Sequence, residues 1–233
     1  MAHLPDILAL GVAALVLGAF VRSALKHTRL VQARLQQRQL QAASFASDTS
    51  LAHVAASAEQ LGIFHFLRGE GVDDRGRGLQ QILALSDVEL EFTHDFIQWL
   101  FPSPESSSCY ADAPVATADT FRAIQADSAA TEGLLRAFQR MLQFYGLRSS
   151  DADPSVLEID ETHQDISGWR KHPTHNDLRI SRMLRAMSLC GQQAKADQLL
   201  AFLEQHFASN PDPQRQVSLD YWRQAARAGS SLP

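Results

Sequence analysis

The stretch SAATEGLLRAFQRMLQFYG, Ser128–Gly146, decides the fold class. Its apolar residues Leu134, Leu135, Phe138, Met141, Leu142 and Tyr145 recur three and four apart, the spacing of one helix face turned to a core. Gly146 follows where a left-handed C-cap belongs. Working outward, the same signals repeat. Thr117–Asp127 is amphipathic, and Leu79–Leu85 is a short helix. Ser86-Asp87-Val88-Glu89 has capping-box spacing and opens a helix that Pro102 stops after Phe101. Leu90, Phe92, Phe96, Ile97, Leu100 and Phe101 are its expected core face. Leu51–Leu67 precedes a Gly-rich turn. Downstream, Thr174 opens a helix through a capping-box variant that closes at Gly191, and Ala194–Phe207 follows. Val217–Arg227 comes after Asp212-Pro213, a cap with proline at the first helical position. No stretch alternates like a strand. The 27 residues Leu147–Pro173 lack periodicity and are expected to pack back through Ile166 and Trp169. The expected fold is an all-α, compact multi-helix domain with a single apolar helix at its N-terminus.

Composition fits a globular chain of 233 residues, 45% hydrophobic and 20% charged. The net charge of −5 is unevenly spread. Residues 1–47 hold five basic side chains and Asp6, leaving 16 basic and 25 acidic residues elsewhere. An acidic body argues against nucleic acid as a partner, because phosphate backbones require a positive surface. Cys109 and Cys190 match no metal spacing, and a reducing compartment suits them best.

Ile7–Val21, ILALGVAALVLGAFV, is fifteen residues without a polar side chain. As a helix it covers roughly 22 Å against the ~30 Å of a bilayer core, with Leu4, Pro5 and snorkelling Arg22 and Lys26 extending it. A buried core helix and a signal peptide compete with an anchor. The charges decide for the anchor: Asp6 lies before the run and Arg22, Lys26 and Arg29 after it, the reverse of a signal peptide. The positive-inside rule then puts the C-terminal domain in the cytoplasm on a single-pass anchor. The division expected is an anchor at 1–22, a basic helical stalk at 23–50, a helical domain at 51–210, and a C-terminal helix and tail at 211–233.

Catalytic signals are sparse. The glycines of GEGVDDRGRG, Gly69–Gly78, follow a helix rather than a strand, and Asp73 and Asp74 would repel phosphate, so the segment reads as a turn. HExxH, CxxC and nucleophile-elbow patterns are missing from the sequence. Arg179, Arg182 and Arg185 share a turn-spaced face, which reads as solvated or carboxylate-paired. No cofactor is expected.

Three stretches carry a family resemblance: THDFIQWLFPSPES (Thr93–Ser106), MLQFYGL (Met141–Leu147) and HNDLRISRMLRAMSLCG (His175–Gly191). Together with FLRGEGVDDRGRGLQQIL (Phe66–Leu83), they resemble the conserved domain of opioid growth factor receptors, especially its short microbial members, over roughly Ile63–Phe207. The resemblance implies an all-α fold and, in animals, reception of an enkephalin peptide and association with membranes and nucleus. Phe96 departs from the more usual Tyr, and Cys109-Tyr110 stand where Asn is usual.

The two motif helices are expected to pack together and frame a groove of His94, Asp95, Gln98, Trp99, Trp169, His175, Asn176, Arg179 and Arg182. Against this, Trp99 is read as core and the polar residues as a buried capping network. The function expected is a membrane-anchored, non-enzymatic module binding a peptide or protein segment. The alternative is a metal-dependent enzyme using His94, Asp95, His172 and His175.

Overall fold

A computed structural model describes residues 62–107, 110, 113–210 and 212–231. The anchor proposed at Ile7–Val21 with Arg22 and Lys26, the stalk, and the first part of Leu51–Leu67 lie outside the described residues. Among the described residues, no helix is long and apolar enough to cross a membrane.

The chain runs through α1 (residues 62–68), α2 (Leu79–Leu83), α3 (Asp87–Phe92), α4 (Ile97–Leu100), α5 (Ala118–Ala126) and α6 (Ser128–Phe144). A hairpin of β1 (Leu147–Ser149) and β2 (Leu157–Ile159) follows, then α7 (Asn176–Leu189), α8 (Gln193–Phe207) and α9 (Pro213–Ala226). A 3-10 turn, Ala228–Ser231, ends it. Among the described residues, one hydrophobic cluster joins α1–α9 and the hairpin. Phe66, Phe96, Phe101, Phe121, Phe144, Phe207, Trp169 and Trp222 are fully buried in it. Each such side chain stabilises the fold by a few kcal/mol, on the order of 1.5–3.

Most starts and stops follow from local chemistry. The Ser86 hydroxyl accepts from the Glu89 amide at 3.3 Å, and the Glu89 carboxylate accepts from the Ser86 amide at 2.7 Å. Asp212 caps α9 by accepting from Gln214 N at 2.9 Å, so α9 starts at Pro213 rather than at Val217. Thr174 Oγ1 accepts from Asn176 N at 3.2 Å while Asp177 Oδ1 accepts from Thr174 N at 3.3 Å, completing the capping-box variant of α7. Gly146 and Gly191 take φ of +66° and +76°, the left-handed conformation that closes α6 and α7. Gly69–Gly78 is a turn organised by Asp73, whose Oδ1 accepts from the amides of Arg75 and Arg77 at 2.9 and 2.7 Å.

Two expectations are corrected. First, Ser86–Phe101 is not one helix. The backbone turns extended at Thr93 (φ −97°, ψ 129°), separating α3 from α4. This break changes the helical phase, so Phe92 is 77% exposed while Leu90, Phe96, Ile97, Leu100 and Phe101 are buried. Second, Leu147–Pro173 contains an antiparallel hairpin pairing Leu147 with Ile159, Arg148 with Glu158 and Ser149 with Leu157. Strands of three residues are too short for alternation to show in sequence. α9 packs on α7 and α8 and buries Leu219 and Trp222 in the common core.

Candidate functional site

α4, α7, α9 and the loop after Pro102 enclose a cavity of about 490 Å³. From α4 come Ile97 and Gln98, from the loop Ser103 and Glu105–Ser107, and from α7 Leu178, Arg179, Arg182 and Arg185; Tyr221, Gln224 and Ala225 face it from α9. The break at Thr93 makes this geometry possible. It frees carbonyls at the end of α3, and Arg179 Nη2 donates to the carbonyls of Thr93 and Glu91 at 2.7 and 3.4 Å. Arg182 Nε donates to the Phe101 carbonyl at 2.7 Å, closing α4 in the same way. Cations at helix C-termini satisfy orphan carbonyls and oppose the dipole. The spaced arginines of α7 are therefore neither solvated nor simply carboxylate-paired. They fasten α7 to both ends of the interrupted motif helix, and Arg185 alone pairs with a carboxylate, Glu105, at 3.1 Å.

A polar network lies behind the cavity. Asn176 is fully buried, accepts from Arg179 Nη1 at 3.2 Å and the Tyr145 hydroxyl at 3.4 Å, and donates to Glu91 Oε2 at 3.0 Å. The Arg179 guanidinium stands 5.3 Å from the Phe96 ring centre. His175 lies 3.6 Å from Glu91 Oε1, and its ring centre is 5.0 Å from that of His94. Burial, then the Arg179 charge, holds His175 below its ordinary imidazole value. Burial also keeps the Tyr145 hydroxyl protonated, and pulls Arg182 down to about 10, still a cation at neutral pH.

Of the nine groove residues expected, His94, Gln98, His175, Arg179 and Arg182 line the cavity. Asp95, Trp99, Trp169 and Asn176 do not. Asp95 turns to the Gly69–Gly78 segment, where Arg77 Nη2 donates to it at 2.8 Å and Arg75 pairs with it. Trp99 is core: its ring packs on Phe66 at 5.4 Å and its Nε1 donates to Asp74 Oδ1 at 3.0 Å. Trp169 is buried on the far side of Tyr145, between that ring and Phe207, with its Nε1 donating to the Tyr145 carbonyl at 3.2 Å. Asn176 supports the wall from behind. Sequence reasoning missed Glu105, Leu178, Tyr221 and Gln224. Only the spacing of Arg185 behind Arg182 pointed to it, and nothing in the α9 sequence singles out Tyr221.

The metal set also separates. His94 and His175 are neighbours, Asp95 is taken by two guanidiniums, and His172 sits by Gly168. Among the described residues, no group of three His, Cys, Asp or Glu side chains could share a metal ion.

Residues 84–231, which span this cavity and all three of its helices, match the model of the opioid growth factor receptor conserved region. This chain belongs to the opioid growth factor receptor conserved-region family. The matched region starts after Ile63 and continues past Phe207 through α9, in keeping with α9's place in the core. The opioid growth factor receptor of Mus musculus is 31% identical over 140 residues, covering 59% of this chain and 22% of the receptor. That of Homo sapiens is 32% identical over 143 residues, covering 59% and 20%. Opioid growth factor receptor-like protein 1 of Xenopus tropicalis is 27% identical over 136 residues, covering 58% and 26%. The chain thus spans about a fifth to a quarter of the length of these relatives. No solved structure matches it.

Proposed function

We propose that this family member is a binding module, not an enzyme, and that an extended peptide or protein segment occupies the cavity between α4, α7 and α9. The cavity itself carries the reading. Its volume falls in the range of ligand pockets, its lining is mostly apolar with the α7 arginines among its few polar groups, and its rim exposes Leu178 (65%) and Tyr221 (62%). Large apolar side chains left in water beside a mostly apolar concavity with a few polar groups suit an amphipathic segment lying across them. The receptor names of the relatives agree with a binding role.

A random-peptide library panned on the full chain tests this. Enriched peptides should lose binding to the Leu178→Glu/Tyr221→Ser variant. Failure to enrich, or equal binding to the variant, overturns the proposal.

We further propose that Ile7–Val21 tethers the module to a membrane with the domain on the cytoplasmic side, which the order of Asp6, Arg22 and Lys26 supports. A chain lacking residues 1–22 should leave the membrane pellet, and retention there refutes the tether.

A further inference from the structure

Three side chains that line the cavity carry buried polar atoms that the fold leaves unpartnered. Gln98 is 3% exposed, and its Nε2 donates to Ser107 Oγ at 3.2 Å. Its Oε1 is buried with no partner. Arg182 spends Nε on the Phe101 carbonyl, yet its Nη2 is buried and unpartnered, and so is Arg185 Nε. All three side chains line the same cavity. A buried polar atom without a partner costs about 1–3 kcal/mol; among the described residues Arg68 Nε, His163 Nδ1 and Arg215 Nε are also unpartnered, but singly and away from the cavity, whereas these three belong to side chains that line it together. One missing acceptor bound by two guanidiniums, beside one missing N–H donor, describes a single chemical pattern.

Resting on the peptide-binding reading, we infer that the cavity recognises the free C-terminus of its peptide. The terminal carboxylate accepts from Arg182 Nη2 and Arg185 Nε. Gln98 Oε1 accepts from the backbone N–H of the last residue, and that residue's apolar side chain lies against Ile97, Leu178 and Tyr221.

Charge and hydrogen-bond type select this occupant over its rivals. Arg179, Arg182 and Arg185 bring three positive charges. Glu105 pairs with Arg185, and Glu91 lies in the network behind Arg179, leaving about one unit of positive charge. A carboxylate carries one negative charge and matches it, whereas a phosphate group carries about two. Neither a phosphate nor a fatty acid offers the N–H that Gln98 requires. A C-terminal residue supplies the carboxylate and the N–H two bonds apart on one backbone.

The test uses fluorescein-labelled hexapeptide pools ending in Leu or Phe, made as free acids and as C-terminal amides, with octanoate as competitor against the full chain. The acids should bind at least about tenfold tighter than the amides, since a charge-assisted hydrogen-bonded pair is lost in the amide. Arg182→Met should erase that preference. Arg185→Met, at a half-exposed position that holds no backbone carbonyl, should narrow it even if Arg182→Met fails to fold. Octanoate should displace the acids only at much higher concentration. Equal binding of acids and amides overturns the C-terminal assignment while leaving peptide binding intact. Octanoate competing as well as the peptides overturns it in favour of a lipid carboxylate. Failure of both pools overturns it too, and the random library then decides separately whether any peptide binds.

Discussion

Arg215 offers the sharpest test of how α7, α8 and α9 are held together. Its side chain is 0% exposed. Nη1 pairs with Asp177 Oδ2 at 2.8 Å, Nη2 donates to the Trp169 carbonyl at 2.6 Å, and the guanidinium carbon stands 4.2 Å from the Phe207 ring centre. Arg215→Met keeps the aliphatic stem and most of the volume, so packing is largely preserved. It strands the Asp177 carboxylate, which is buried at the start of α7. Removing one partner of a buried pair costs about 3–5 kcal/mol. For a domain of this size each kcal/mol lowers Tm by about 2–4 °C, so the loss should be roughly 6–20 °C. Asp177→Asn in the same chain removes the stranded charge, keeps Oδ1 as the acceptor for Thr174 N, and presents an Nδ2 that donates to the Ser218 hydroxyl oxygen. The double variant should therefore be more stable than the sum of the singles predicts, by about 0.5–3 kcal/mol. Urea titration followed by far-UV circular dichroism on all four proteins closes the cycle. A loss below about 1 kcal/mol for Arg215→Met, or strict additivity, would refute the claim that this ion pair joins α9 to α7.

Trp99→Ala should cost about 3–5 kcal/mol by urea titration, because it removes a core ring and the donor to Asp74; unchanged stability would return Trp99 to the cavity. Gly133→Ala should destabilise, despite the roughly 1 kcal/mol that alanine gains in a helix, because its Cβ would lie 1.9 Å from the Leu67 carbonyl oxygen; a higher Tm would show that α1 can move aside. His175 and His206 are both held below the ordinary imidazole value, chiefly by burial and then by nearby arginines. The folded state therefore binds fewer protons than the unfolded chain just below pH 6.5, and the stability present above that pH falls as the solution is acidified through it. The urea midpoint should drop between pH 7.5 and 5.5, and less so in the His175→Gln/His206→Gln variant. Equal slopes in the two proteins would remove these histidines as the cause.

Local chemistry was legible wherever a helix is long or its end is capped by near neighbours. Ser128–Gly146 announces its length, its buried face and its left-handed stop, because every signal lies within a few residues of its effect. The Ser86 box, the Asp212 cap and the Gly191 stop are of the same kind. The five cavity residues recognised in advance, His94, Gln98, His175, Arg179 and Arg182, come from the two motif stretches that the family resemblance singled out.

What the tertiary structure decided depends on partners far away in sequence. Thr93 breaks the helix begun at Ser86 because Arg179, on α7, satisfies the carbonyls that the break releases. Phe92 follows helical spacing and still faces water, while Trp99 lies in the core and Tyr221, on α9, joins the cavity rim. Sequence by itself determined which segments are helical and which family shaped them, since propensity, capping and spacing act over one or two turns. Only the packed chain settled which polar atoms remain unused, because a hydrogen bond across some 80 residues leaves no local trace.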